Sequence, residues 1–408
     1  MPSGQTEPVF IKQNLNLASS ISKNKRIILY ITSFLIALHN TPAVFINSSM
    51  VEQFVGDKYV GYIFAISSLL SLILLSKIKN FLNKIGNYKT FATALVVNFI
   101  CLSITSLSLF VEHHYYGPIF VSAYIIGHMA RIAMIFCMDV FLENASQDKD
   151  TGGIRGILLT SINLSFIIGP LLASSMITST KDAGVVYIWG LTLLIPIYLI
   201  IKRNFSNYID SNYTKNDISE MVFKIFRNKD IYNVCRTNFT LAFFYSWMII
   251  YTPIYLRTIF ALSEVAMIIG FGLLPFILLQ IPLGKIADKI LGEKEIMTAG
   301  FIIAGISTSL ISFINSDSML VWIAIIFMTR VGASMIEVMN ETYLFKKVND
   351  SDIDILSAYR SIEGLAYIGG PILASLLLIF IDIKFIFLVL AIIVIHGIKF
   401  SLRITDTK

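Results

Sequence analysis

The sequence predicts an all-α integral membrane protein: twelve transmembrane helices in two pseudo-symmetric six-helix bundles, with both termini cytoplasmic. Three observations predict it. Hydrophobic residues make up 56% of the 408 and charged residues only 14%, against roughly 25% charged in soluble domains. A soluble fold of this size could not hide so much apolar surface, and the same arithmetic excludes intrinsic disorder. Long apolar runs recur from end to end, each able to cross a hydrocarbon core as a helix of about 20 residues. Finally, a repeat relates the two halves of the chain.

The spans are read, in order, at 27–50, 60–82, 88–111, 117–141, 152–177, 183–201, 230–258, 264–289, 295–314, 318–345, 353–378 and 383–402. Many connections are very short, such as the turn around Asn315-Ser316-Asp317. Membrane β-strands would need alternating segments of about ten residues, and none is present. The first 25 residues are polar, with no apolar core before Ile27, so no signal peptide is expected. This divides the chain into a cytoplasmic N-terminal segment (1–26), an N-terminal bundle (27–201), a cytoplasmic linker (202–229) and a C-terminal bundle (230–408). The linker carries an amphipathic piece, Ile218 to Phe226, suited to a membrane surface. Cys101, Cys137 and Cys235 all fall inside spans and read as packing residues, with no disulfide framework.

Orientation follows from the cations. Lys12, Lys23, Lys25 and Arg26 precede the first span, and Lys77, Lys79, Lys84 and Lys89 surround the second loop. Lys202, Arg203, Lys215, Lys224, Arg227 and Lys229 crowd the linker, whereas the opposite loops hold little beyond Lys58, Lys181, Arg257 and Lys384. Lys and Arg favour the cytoplasmic face. The net charge of +6 is thereby explained by topology and leaflet electrostatics, with no nucleic-acid partner required.

The repeat is local and legible. Ile168-Gly169-Pro170-Leu171-Leu172-Ala173-Ser174 in the fifth span returns as Gly369-Gly370-Pro371-Ile372-Leu373-Ala374-Ser375 in the eleventh. Arg131 of the fourth span precedes Pro170 by 39 residues, and Arg330 of the tenth precedes Pro371 by 41. Two related six-helix halves around a central site form a transporter architecture.

One loop carries a family resemblance. Gly284-Lys285-Ile286-Ala287-Asp288-Lys289-Ile290-Leu291-Gly292-Glu293-Lys294, after the eighth span, resembles the loop pattern of the major facilitator superfamily, with one residue inserted before the second glycine. The corresponding first-half loop keeps Lys84, Gly86 and Lys89 but has Lys79 for the first glycine and Asn83 for the aspartate. The resemblance implies that Gly284, Asp288, Lys289, Gly292 and Lys294, with Lys84 and Gly86, latch the halves in an outward-facing state. An ordinary charged turn is the plainer reading. The Gly169-Pro170 and Gly370-Pro371 pairs resemble a motif of drug/proton antiporters in the same superfamily, but further glycines of that motif are replaced by Ala-Ser. Helix packing through small residues and a proline kink explains them equally well.

Ionisable groups at mid-membrane depth are costly and usually functional. On a rise of about 1.5 Å per residue, His39 and Asn40 fall midway along span one, His128 and Arg131 along span four, Tyr245 and Trp247 along span seven, Arg330 along span ten and Glu363 along span eleven. Spans one, four, seven and ten are the cavity-lining helices that the resemblance implies, so a central substrate and coupling cavity is expected. Glu337 and Glu341 share a stripe with Arg330 and could instead pair with Arg360 or loop cations. Asp139 and Glu143 suit a gate or loop contact. His39 could be a core histidine, and Tyr245, Trp247 and Tyr251 could be packing aromatics. Arg131 has no acid within one helical turn, so its partner must come from another helix, water or a ligand.

No zinc-type His/Cys spacing, nucleotide loop or nucleophile elbow is present, so neither an enzyme nor a cofactor is expected. The expected function is secondary active transport of a small organic solute, anionic rather than cationic, by alternating access with proton coupling. The proton carrier would be Glu363, with Glu337 second. The expected partners are that solute, protons and membrane lipid; the expected state is a monomer in the cell (inner) membrane. Efflux of apolar or cationic drugs, or a non-transporting sensor or scaffold, remain the alternatives.

Overall fold

The computed structural model describes residues 9–110, 116–145, 151–177, 182–208, 210, 227–289, 292–347 and 353–406. The linker piece 218–226 and the side chains of Asp288, Lys289 and Arg360 lie outside the described residues. Among those residues every element is helical. In chain order the helices are α1 (Val9–Val55), α2 (Asp57–Ile85), α3 (Asn87–Phe110), α4 (Tyr116–Ala145), α5 (Thr151–Met176), α6 (Ala183–Phe205) and α7 (Lys229–Leu256). They continue as α8 (Leu262–Gly272), α9 (Pro275–Leu278), α10 (Gln280–Lys289), α11 (Glu293–Leu310), α12 (Met319–Lys347), α13 (Ile353–Leu377), α14 (Ile383–His396) and α15 (Ile398–Ser401).

The apolar runs form helices because in hydrocarbon each backbone N–H and C=O must find its partner within the segment. Nine helical segments among the described residues are long and apolar enough to cross a membrane, and Thr160–Met176 and Ile362–Leu377 are shorter apolar helices. The surface fits a lipid solvent: Phe380 is 81% and Leu320 74% exposed, while Asn98 and Asn340 are fully buried. Two runs read as continuous are interrupted. The eighth breaks into α8, α9 and α10 because Pro275 has no N–H to donate and its ring displaces the carbonyl four residues earlier. Tighter bonds replace the missing one, from Leu273 N to Gly270 O and from Leu274 N to Phe271 O, both 3.3 Å. The last run is divided at Gly397 into α14 and α15.

Packing repeats between the earlier and later helices. α1 packs on α4, α5 and α6, as α7 packs on α12, α13 and α14; α3 lies on α4 and α6, as α11 lies on α12 and α14. Crossed contacts join the two sets, α2 against α13 and α5 against α8. The repeated glycines explain one crossing within each set. A methyl group on Gly169 would overlap Thr41 of α1, and one on Gly370 would overlap Ser246 of α7. Each glycine thus lets its helix approach the first helix of its own set closely.

Candidate functional site

Polar side chains gather inside the helices in two groups. The first lies where α1, α3, α4 and α6 meet. His39 of α1 is buried, with Nδ1 against the Ile36 carbonyl and Nε2 3.0 Å from the Asn98 amide nitrogen of α3. The Tyr187 hydroxyl of α6 donates to Asn47 Oδ1 at 2.7 Å. Arg131 of α4 is buried and faces the same cavity as His39, Asn40, Asn98, Tyr124 and Tyr187. His128 stands at its edge, stacked on Tyr124 at 6.4 Å, with Nδ1 3.5 Å from Arg131 Nη2. The cavity volume is about 10 Å³, close to the room one water needs. A larger group can therefore enter only if the helices move.

The second group lies among α7, α12 and α13. The Tyr245 hydroxyl donates to Glu337 Oε2 at 2.5 Å. Arg330 is buried with its guanidinium 5.4 Å from the Phe244 ring centroid, and its Nε has no hydrogen-bond partner. Tyr367 lies within electrostatic reach of Arg330, Glu337 and Glu363. Among the described residues no carboxylate oxygen comes within ion-pair distance of Arg131 or Arg330. An unpaired buried guanidinium is costly, by several kcal/mol on the scale of ion desolvation, and five N–H donors make it a ready partner for an anion.

The structure therefore brings His39, Asn40, Arg131 and His128 together, and separately Tyr245, Arg330, Glu337 and Glu363. Trp247 belongs to neither group; it is fully buried between Phe243 and Tyr251. Asn98, Tyr124 and Tyr187 were not singled out in the sequence. Asn98 sits midway along its span, where the same depth ruler would have flagged it.

The two sets also meet at the end away from the chain termini. Arg257, which caps α7, donates to Glu52 Oε2 at 3.1 Å and to the Ser49 carbonyl at 3.0 Å, both on α1. The Tyr251 hydroxyl lies 3.1 Å from both Pro371 O and Ser375 Oγ of α13, and Gly61 of α2 leaves no room for a side chain against these three groups.

The loop residues are placed differently from one another. Gly284 meets nothing within 4 Å of where a Cβ would stand, so no close helix approach depends on it here. Lys84 is exposed. Gly86 and Gly292 each make room for a carboxylate that sequence reading did not single out. Asp210 Oδ1 accepts from Asn87 N at 2.8 Å, and Asp406 Oδ1 accepts from Lys294 N at 3.0 Å. A Cβ on Gly86 would stand 2.6 Å from Asp210 Oδ2, and one on Gly292 2.5 Å from Asp406 Oδ1. Gly86 also has φ +84, the left-handed region open to glycine.

Comparison with known proteins agrees with this architecture. No curated protein sequence matches the chain. The fold is similar to that of a point mutant of the nucleoside transporter NupG, with TM-score 0.71, 12% identity, and coverage of 93% of this chain and 100% of that one. A bacterial homologue of the iron transporter ferroportin in an inward-facing state gives TM-score 0.68 and 9% identity, covering 93% of this chain and 97% of that one. At such identities the likeness shows the fold alone. The family model described as Major Facilitator Superfamily matches residues 29–353 and 237–405, nearly the whole chain. This multi-pass integral membrane protein belongs to the major facilitator superfamily.

Proposed function

We propose that the protein is a secondary active transporter that carries a small organic anion by alternating access, coupled to protons. In this reading twelve spans form halves 27–201 and 230–408, joined by the cytoplasmic linker 202–229, with both termini cytoplasmic. The carrying observation is the pair of buried arginines, one per half, that lack carboxylate partners among the described residues. A guanidinium fork in low dielectric binds two oxygens of a carboxylate or phosphate at once. Arg131 is the solute's anchor, with His39, Asn40, Asn98 and Tyr187 around it. Arg330 works with Glu337 and Glu363 as the charge balance of the second half.

The ion pair between Glu52 and Arg257 and the seat of Gly61 against Tyr251, Pro371 and Ser375 hold the halves together at what is the outer end in this orientation, which supports a conformation closed on that side, about whose midplane the halves rock. Gly169 and Gly370 have a packing task at the α1–α5 and α7–α13 crossings, so the Gly-Pro repeat gives no weight to drug efflux. The test is uptake into proteoliposomes from a panel of carboxylates, phosphates, sugars and cationic dyes under imposed proton and voltage gradients. Accumulation of an acid that depends on the proton gradient is expected. Flux of a cationic dye that survives Arg131→Lys, with no flux of any acid, would overturn the reading.

A further inference from the structure

The His39 ring is held in one protonation form by its two neighbours. Nδ1 meets the Ile36 carbonyl, which can only accept, so Nδ1 carries the hydrogen. Nε2 meets the Asn98 amide nitrogen, which can only donate, so Nε2 accepts. Both bonds together permit only the neutral ring. Yet the arrangement holds a ready alternative, because the buried Asn98 carboxamide oxygen has no hydrogen-bond partner. Half a turn of that amide presents the oxygen to Nε2, and the ring can then carry a second proton.

What opposes that second proton is first burial, which disfavours any charge here, and then the charge of its neighbours. The titratable groups that share the cavity with His39 are Cys101 from α3, Tyr124 and Arg131 from α4, and Tyr187 from α6, with His128 of α4 against Arg131 and Tyr124. Residues 157–177 of α5 contain no titratable side chain, and α1 carries no charged residue between Arg26 and Glu52. α2, α7 and α8 touch α1 without bringing a charge to the ring. Among the described residues the only charge near His39 is therefore the Arg131 cation. An anion seated on the Arg131 fork would be the only negative charge in the cavity.

We propose that Arg131 and His39 form one proton-linked anion site: a carboxylate or phosphate held by the Arg131 fork supplies the negative charge that lets His39 Nε2 take up a proton, while the Asn98 amide turns to accept from it. The inference rests on the anion-transport reading and deepens it. By thermodynamic reciprocity the proton strengthens anion binding as much as the anion strengthens proton binding. Solute and proton then enter and leave together, which makes the protein a symporter without a carboxylate carrier in this half.

The chain has only five histidines, so nitrogen NMR of their side chains is tractable on the full-length protein in lipid nanodiscs. His39→Gln and His128→Gln assign the two cavity signals. Lactate, succinate and inorganic phosphate serve as probes at constant ionic strength against chloride, with thermal stabilisation recording which of them binds. With chloride alone, His39 should show the Nδ1–H neutral form. A binding anion should raise its protonation midpoint by about one unit or more, and Arg131→Gln should remove that shift. An anion that stabilises the protein while leaving the His39 midpoint unmoved would overturn the proton linkage and leave the transport reading standing. If none of the three anions binds, the anion reading falls and this inference with it.

Discussion

Arg131 and Arg330 hold matching places in related helices, but their surroundings have diverged. Arg131 looks into amides and phenols, whereas Arg330 lies over Phe244 with Tyr245, Glu337 and Tyr367 close by. Equal charge in unequal company suits a division of labour, one arginine gripping the solute and the other balanced within the protein. Arg131→Lys keeps the cation but loses the planar fork. Removing one charged hydrogen bond costs about 1.5–3 kcal/mol, so half-maximal uptake should need at least about tenfold more solute; uptake measured against concentration reads this directly. Arg131 and His39 stood out in the sequence because an ionisable group at mid-membrane depth is rare, and Asn40 because it follows His39. Tyr124 and Tyr187 were not, because uncharged polar residues are frequent in apolar helices. Which way they face depends on a rotation that an almost uniformly apolar helix does not encode.

At the scale of the element, the repeated glycines and the loop carboxylates do most of the positioning. Gly370→Val would drive two methyl groups into Ser246, and overpacking of this kind costs about 1–3 kcal/mol. The thermal midpoint in detergent should fall, and Ser246→Gly in the same chain should recover part of the loss; no recovery would mean that the crossing is not the cause. Asp406→Ala removes the acceptor from the start of α11, a loss of about 1 kcal/mol, visible in the same measurement. The Gly-Pro repeat was readable because it is contiguous. The aspartate caps were not, since Asp210 and Asp406 lie far along the chain from the helices they cap, and only the fold brings them back. The break at Pro275 had a visible cause, yet the run 264–289 was read as unbroken because hydropathy averages over a single missing hydrogen bond.

For the whole molecule, the ion pair between Glu52 and Arg257 is a tie between helices that must part if the end away from the termini is to open. Both side chains are partly exposed, 30% and 21%, and such pairs contribute about 0.2–1 kcal/mol. Glu52→Gln should therefore raise the population open at this end up to about fivefold, read as faster labelling of a cysteine that replaces the fully buried Ser375 beside Gly61, and high salt should do the same to the unaltered pair.

The caps made by Asp210 and Asp406 have a consequence for the continuity of the polypeptide. Asp210, just beyond α6, reaches back to the start of α3, and Asp406, just beyond α15, reaches back to the start of α11. Each set of helices is fastened by its own tail, before the linker joins one set to the other. The peptide connection between them is then a tether that keeps two self-contained pieces at high local concentration. Two separately translated polypeptides, one ending just after Asp210 and one beginning at Arg227, should find each other in the same bilayer and restore solute uptake. The same pair carrying Asp210→Ala should recover less, because the first piece would arrive unfastened.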